Sequence, residues 1–320
     1  MENSRFTKEI SVTLDLARKA AAATERIREN GIQASRKQDH TPVTQADIVS
    51  QAIILSGLRR HFPNDRIEAE EAISSDGRNT LAMSAGEALR DLGYDHESRN
   101  LAQVVNDRGN PEGRRIWMID PIDGTKGFER GLSYAVAIGL YFDGRPRFGC
   151  MAAPAFPGED GGEKTTIIAY AGRGEGAYWL EAGRDRVEPL RVSDVRDISR
   201  MRLVGSRAHD MDDICGKFVD RAGIQQLIRM DGQTKYLMLA LGRADVYIRS
   251  ADPYFGIAYP WDHCTGQIIL EEAGGRVTDL DGKLIDYEPP PGRPITNLDG
   301  LVASNAGCHE EILDFLGDIA

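Results

Sequence analysis

Trp117-Met118-Ile119-Asp120-Pro121-Ile122-Asp123-Gly124-Thr125-Lys126-Gly127-Phe128 runs from an apolar, strand-like segment into a tight turn. It sets two carboxylates three residues apart, joined by a stiffening proline and followed directly by a glycine and a hydroxyl. Hard cations such as Mg²⁺ take carboxylate and carbonyl oxygens and keep positions for water and substrate phosphate. A strand end feeding this turn can present Asp120, the Ile122 carbonyl and Asp123 to one ion cluster. The Gly124 and Thr125 amides are then placed to face a phosphate oxygen. The stretch points to a metal-dependent phosphatase site. Asp-Pro and Asp-Gly are also ordinary turn formers, so the rest of the chain has to decide.

Outward from this stretch, apolar spacing predicts a helix carrying Ile10, Leu14, Ala17, Ala21 and Ile27 on one face, stopped at Gly31. A second helix follows Thr44, with Ile48, Ala52, Leu55 and Leu58 inward, and a short strand over 66–69 leads into Glu70-Glu71. The segment 74–114 is polar, helical in patches and rich in breakers, and reads as a surface insertion. Strands are expected over 115–119, 134–142 and 147–152, with Asp143-Gly144 as a hairpin turn. The Pro- and Gly-rich loop 154–164 is the expected boundary between an N-terminal α+β lobe, 1–158, and a C-terminal α/β lobe, 159–320. Beyond it, strands (165–171, 176–180, 202–205, 245–249, 301–303) alternate with helices (212–222, 232–242, 262–273 and from 309), which suggests α/β layers. The Gly-rich 171–176 lacks the Lys-Ser/Thr of a P-loop and reads as two strands and a turn.

A chain of 320 residues has room for two lobes, and 41% hydrophobic with 28% charged residues is an ordinary globular composition. The net charge of −11 argues against a nucleic-acid polymer or an anionic membrane as partner. No apolar h-region opens the chain, and no run of about 18 apolar residues is present to span a bilayer. Cys150, Cys215, Cys264 and Cys308 are far apart and form no C-x-x-C pair, so reduced thiols and a cytoplasmic location are expected.

Three further acidic segments stand at strand ends and helix starts. Asp47 lies in Thr-Pro-Val-Thr-Gln-Ala-Asp at 41–47, where Thr44-x-x-Asp47 is equally a capping box. Glu70-Glu71 follows the short strand and is equally a solvated acidic pair. Asp262, in Trp-Asp-His-Cys-Thr-Gly at 261–266, is equally a helix N-cap. Together the four segments form a set that a divalent-metal site could gather.

In this order, and over nearly the whole length, these motifs resemble those of the inositol monophosphatase superfamily of magnesium-dependent, lithium-sensitive phosphatases. Within it the chain most resembles the 3′(2′),5′-bisphosphate nucleotidases, on Lys126-Gly127-Phe128, on Ser206-Arg207-Ala208-His209, and on Lys235-Tyr236 through Ala244-Asp245-Val246-Tyr247-Ile248-Arg249. The resemblance implies a two-lobed α/β fold, an α-β-α-β-α sandwich of the inositol monophosphatase and fructose-1,6-bisphosphatase type. It implies two or three Mg²⁺ held by Glu70, Asp120, the Ile122 carbonyl, Asp123 and Asp262, with Asp120 bridging. Asp47 and Thr125 are implied as the pair that activates water, Asp47 accepting a hydrogen bond from the Thr125 hydroxyl. Gly124, Thr125, His209, Lys235, Arg249 and Asp262 are implied as substrate contacts. Gly232 stands where some relatives have serine, Ala208 where relatives often have serine, and Ala69 where glycine is frequent. The implied reaction removes the 3′-phosphate of adenosine 3′,5′-bisphosphate, with 3′-phosphoadenylyl sulfate as a second substrate, Li⁺ and Na⁺ as inhibitors, and a place in sulfur metabolism and salt tolerance. An inositol-phosphate or other small sugar-phosphate phosphatase is the alternative.

Overall fold

The computed structural model describes residues 4–37, 42–74, 80–158, 162–207, 213–250, 258–287, 293–295 and 298–318. In chain order the elements are α1 Thr7–Asn30, β1 Ala34–Arg36, β2 Pro42–Thr44, α2 Gln45–His61, β3 Arg66–Ala69, α3 Thr80–Asp91, α4 Asp95–Arg99, α5 Leu101–Val105, β4 Ile116–Asp123 and α6 Thr125–Glu129. Next come β5 Ala135–Phe142, β6 Arg145–Phe156, β7 Thr165–Gly172, β8 Gly176–Glu181, β9 Glu188–Pro189, β10 Arg202–Ser206, α7 Asp213–Ala222 and β11 Gln226–Met230. The chain finishes with α8 Thr234–Ala240, β12 Val246–Ser250, α9 Cys264–Glu272, β13 Arg276–Asp279, β14 Gly300–Ser304 and α10 His309–Gly317.

Two sheets organise these elements. The larger has the order β3-β4-β5-β6-β7-β8-β9, parallel between β3 and β4 and antiparallel elsewhere. The smaller has the order β11-β10-β12-β14-β13, with β10 parallel to both its neighbours. Helices α1 and α2 cover one face of the large sheet, α8 and α9 lie between the sheets, and α7 and α10 cover the far face of the small one. The layers are therefore α-β-α-β-α, as the resemblance implied.

Strand sequences show why the large sheet is covered twice. Val136, Ile138 and Leu140 of β5 enter the core beneath α1 and α2, while Ala135 and Tyr141 enter the core shared with α8 and α9. A strand buried on both faces cannot alternate apolar and polar residues, and Ala-Val-Ala-Ile-Gly-Leu-Tyr-Phe does not. Helix α1 ends at Gly31, whose φ of +102° favours glycine.

Two sequence expectations meet a different arrangement. The loop 154–164, expected to divide the lobes, joins β6 to β7, which are neighbours in one sheet, and the change of sheet comes after β9. Proline and glycine mark a hairpin connection as readily as a linker. The stretch 74–114 is helical in patches as expected, giving α3, α4 and α5, but it is no surface insertion: Ala82, Ala85, Leu89, Leu101 and Val105 join the core against α2. The hairpin β1–β2 and strands β11 and β13 were not expected at all. All four cysteines are free and buried, as expected of reduced thiols. Among the described residues, no helix is long and apolar enough to cross a membrane.

His309, at the start of α10, is buried between the hydroxyls of Thr278, 2.9 Å from Nε2, and Ser304, 2.8 Å from Nδ1. Burial first, then the Arg276 charge, pushes its pKa down to about 4. A histidine depressed in the folded state is neutral there while the unfolded chain still takes up a proton. Its stabilisation is complete above about pH 6.5 and is lost as pH falls from there through about 4. With solvent screening discounted, the loss by pH 5 is on the order of 1 kcal/mol. Urea unfolding at pH 7 and pH 5 should show this drop for the parent and a smaller one for His309→Gln. Equal drops would remove His309 as the cause.

Candidate active site

Strand β4 ends in an irregularity: Asp120 pairs with Ala137 and Asp123 with Ala135, three residues against two. On a regular strand, residues three apart point to opposite faces. One extra residue re-aims the second side chain, and Pro121, which cannot donate to the ladder, sits in that bulge. Asp120 and Asp123 thereby come within electrostatic reach of each other. Because β3 runs parallel to β4, Ala69 pairs with Ile119, and the Glu70 N–H donates to the Ile119 carbonyl at 3.1 Å. Glu70 thus leaves its strand beside Asp120, close enough for the two carboxyls to share a hydrogen bond. Asp262 closes a 3₁₀ turn, Pro260–Asp262, packed against β4, and its carboxylate accepts the Tyr259 N–H at 2.8 Å.

The electrostatics follow from this crowding. Asp120 is 2% exposed, and burial, then the charges of Glu70, Asp123 and Asp262, raise its pKa well above the usual carboxylate range. Burial pushes Asp123 up to about 6 against the pull of Lys235 and Gln233. Burial and the Asp123 charge push Asp262 up to about 7, against Arg249. Carboxylates buried together stay ionised only when positive charge is supplied. The Asp120 Oδ1 atom is buried without a hydrogen-bond partner among the described residues. An all-oxygen donor set short of positive charge, with an orphaned buried oxygen, fits hard divalent cations. Among the described residues, no three His, Cys, Asp or Glu side chains are gathered into a ready cation cage. Lys37 Nζ instead bridges Glu70 and Glu71, 2.7 Å from each.

The Asp47–Thr125 hydrogen bond that the resemblance implied is not formed. The Thr125 hydroxyl donates to the Ile122 carbonyl at 3.2 Å, while Asp47 Oδ2 accepts the Thr44 N–H at 2.8 Å and the Thr44 hydroxyl at 2.6 Å. The capping box at the start of α2 takes this oxygen because Thr44 is its immediate neighbour. Asp47 Oδ1 has no hydrogen-bond partner among the described residues, and burial pushes the group up to about 7. The cap and a buried, unpartnered oxygen coexist on one side chain. Gly124 holds φ at +99°, and a Cβ there would come within 3.2 Å of Asp231 Cβ, so the turn after Asp123 suits glycine on both counts.

The expected phosphate-holding cations stand at the same acids. Lys235 is 7% exposed, lies over the Tyr247 ring at 5.1 Å and interacts with Asp123, Asp231 and Asp262. Burial lowers its pKa against those charges. Arg249, near the end of β12, interacts with Asp262 and contacts His263. His209 lies outside the described residues.

Sequence reasoning passed over Gln233, which ties Asp123 to the segment 261–266 that carries Asp262. Its N–H donates to Asp123 Oδ2 at 2.7 Å, its side-chain amide donates to the Trp261 carbonyl at 2.9 Å, and its Oε1 accepts the Gly266 N–H at 2.9 Å. Lys37 was passed over as well, and Tyr236 and His263 stand in the sequence motifs with no role given to them. Gly266 was noted as a motif position, and its physical need is now visible: a Cβ there would lie 2.3 Å from the Tyr236 ring.

A model of the inositol monophosphatase family matches residues 7–317. The chain belongs to the inositol monophosphatase family. Family members are generally metal-dependent phosphatases, in keeping with the acid cluster. Within the family, the chain is 30% identical over 336 residues to a protein of Schizosaccharomyces pombe named 3′(2′),5′-bisphosphate nucleotidase, covering 97% of this chain and 95% of that one. It is 29% identical over 359 residues to an Emericella nidulans protein of the same name, covering 98% and 97%. An inositol monophosphatase structure from Thermotoga maritima superposes with a TM-score of 0.69 at 23% identity over 98% of both chains, which shows the shared inositol monophosphatase fold.

Proposed function

We propose that the chain is a Mg²⁺-dependent phosphomonoesterase that removes the 3′-phosphate of adenosine 3′,5′-bisphosphate, giving AMP and phosphate, with 3′-phosphoadenylyl sulfate as a second substrate. The observation that carries the substrate is the position of Lys235 and Arg249, buried or partly buried cations beside Asp123 and Asp262. A substrate with one phosphate needs cations for that phosphate alone. A bisphosphate needs a second cationic site nearby, and a guanidinium offers phosphate a planar pair of donors. The names of the two relatives support the same substrate.

Glu70, Asp120, Asp123, Asp262 and the Ile122 carbonyl would hold two or three Mg²⁺. Bound there, the ions neutralise charge on the phosphoryl group and the departing oxygen and make the attacking water more acidic. Asp47 Oδ1, unpartnered and buried among these acids, is the oxygen that would take the water's proton. The Thr125 hydroxyl would align that water after turning from the Ile122 carbonyl. Lys37 must release Glu70 when cations enter. Inhibition by Li⁺ and Na⁺ is expected of a site built for small hard cations.

Phosphate release from adenosine 3′,5′-bisphosphate and from inositol 1-phosphate, side by side with Mg²⁺ and then with added Li⁺, tests the reading. Strong preference for the nucleotide, lost with Li⁺ or without Mg²⁺, is the expected result. Preference for inositol 1-phosphate would overturn the nucleotide assignment and keep the acid site. Removal of the cations sharpens the test. Arg249→Ala should lower kcat/KM for the bisphosphate about 10- to 100-fold, the worth of a charge-assisted hydrogen bond, and change inositol 1-phosphate turnover by less than about threefold. Lys235→Met should do the same with some loss on both substrates, because Lys235 also balances Asp123. Equal losses on both substrates for Arg249→Ala would remove it from the phosphate site.

A further inference from the structure

His263 follows Asp262 directly and is 2% exposed, yet no role falls to it in the acid cluster. Its two ring nitrogens meet two different partners. Arg249 Nη1 lies 3.2 Å from Nε2, and the Tyr236 hydroxyl lies 2.9 Å from Nδ1. A guanidinium in a protein carries donors alone and does not give up its proton. Nε2 must therefore present its lone pair. The single proton of a neutral imidazole then sits on Nδ1, where it is donated to the Tyr236 oxygen.

Tyr236 is itself held in place. It is 1% exposed and meets Tyr247 edge-on, with ring centroids 5.6 Å apart at 88°. Its ring also fills the space that Gly266 leaves by having no Cβ. The relay therefore joins three separate elements: Tyr236 on α8, His263 between the 3₁₀ turn and α9, and Arg249 on β12.

We propose that His263 is a positioning residue that holds the Arg249 guanidinium through an unprotonated Nε2, with Tyr236 fixing the tautomer, so that Arg249 is aimed at the second phosphate of a bisphosphate substrate. The proposal rests on the functional reading given above for Arg249. Its physical point is the choice of acceptor. A carboxylate acceptor would orient the guanidinium and also cancel part of its charge, which Asp262 already draws on from nearby. A neutral imidazole orients it and adds no negative charge, leaving its attraction for a phosphate dianion undiminished by that contact. Gly266 thereby acts on the substrate site at two removes.

Kinetics on adenosine 3′,5′-bisphosphate and on 3′-AMP separate this role from a merely structural one. His263→Phe should raise KM for the bisphosphate about tenfold or more and change KM for 3′-AMP by less than about threefold. His263→Gln, whose Oε1 restores an acceptor, should recover most of that loss. In an Arg249→Ala background, His263→Phe should cost less than about twofold, since the two residues act as one unit. Tyr236→Phe, which keeps the ring in place, should show a smaller rise of the same kind if His263→Phe does not fold. Equal KM increases on both substrates, or full additivity with Arg249→Ala, would overturn the proposal. Nitrogen-15 NMR of the parent gives a readout independent of substrate: a protonated Nδ1 and an unprotonated Nε2 are expected, and a proton on Nε2 overturns the proposal. A parent enzyme with equal KM for both nucleotides would overturn the functional reading instead, while the NMR result would still decide the tautomer.

Discussion

Asp120→Asn should abolish turnover, by at least about a thousandfold, while leaving the fold intact. Asp120 is the acid on which the others converge, since Glu70, Asp123 and Asp262 all act on it and its Oδ1 has no hydrogen-bond partner among the described residues. An amide keeps the size and one carbonyl oxygen but removes the charge that a cation needs. The same crowding predicts an unusual stability result. Without divalent cations, four acids press on one another, so Asn at position 120 relieves repulsion and should leave Tm unchanged or a few degrees higher. Mg²⁺ should raise the parent's Tm as any ligand of the native state does, and should not raise that of the variant. Thermal unfolding with and without Mg²⁺, beside phosphate release, checks both halves. Near-normal turnover in Asp120→Asn would sink the site assignment.

The segments that carry chemistry were legible because local rules placed them. The apolar run into Asp-Pro-Ile-Asp-Gly announces a strand ending in a turn, and Thr44-x-x-Asp47 announces the cap that the structure contains. What was not legible depends on distant neighbours. Nothing near Gln233 in sequence shows that its backbone N–H will hold Asp123 while its side-chain amide reaches the turn at Trp261. Lys37 is one of many surface-type cations until the β1–β2 hairpin carries it to Glu70 and Glu71. The lobe boundary misled for the opposite reason: the local signal at 154–164 was strong, and tertiary pairing of β6 with β7 gave it another meaning. The 74–114 stretch looked superficial because it is polar and rich in breakers overall, yet Ala82, Ala85, Gly86 and Leu89 fall at helical spacing, and the stripe they form is what packs α3 against α2.

Gly149→Val should lower both stability and turnover. Gly139 and Gly149 face each other across β5 and β6, and α9 crosses the sheet above them. A Cβ at Gly149 would come within 2.6 Å of Ile268 Cγ2 and 3.1 Å of the Thr265 carbonyl; one at Gly139 would come within 2.8 Å of Thr265 Oγ1. The Ile268 methyl can rotate away, but the Thr265 carbonyl belongs to the helix backbone, so α9 itself must lift. Overpacking of this kind costs about 1–3 kcal/mol, a Tm loss of roughly 2–5 °C in a chain of this size. Asp262 and His263 directly precede α9, so the displacement passes to the acid cluster and to the Arg249 contact. A shift of about 1 Å at a catalytic group is enough for a loss on the order of a hundredfold in rate. Gly216→Ala is the matched control: it lies inside α7 with nothing within 4 Å of the added Cβ, and should be neutral or stabilising by about 0.5–1 kcal/mol with turnover unchanged. Calorimetry and phosphate release on both variants decide the matter. If Gly149→Val loses stability but keeps its rate, the acids are anchored through Gln233 and β4 rather than through the seating of α9. If it loses rate out of proportion to stability, this pair of glycines belongs to the active site as much as the carboxylates do.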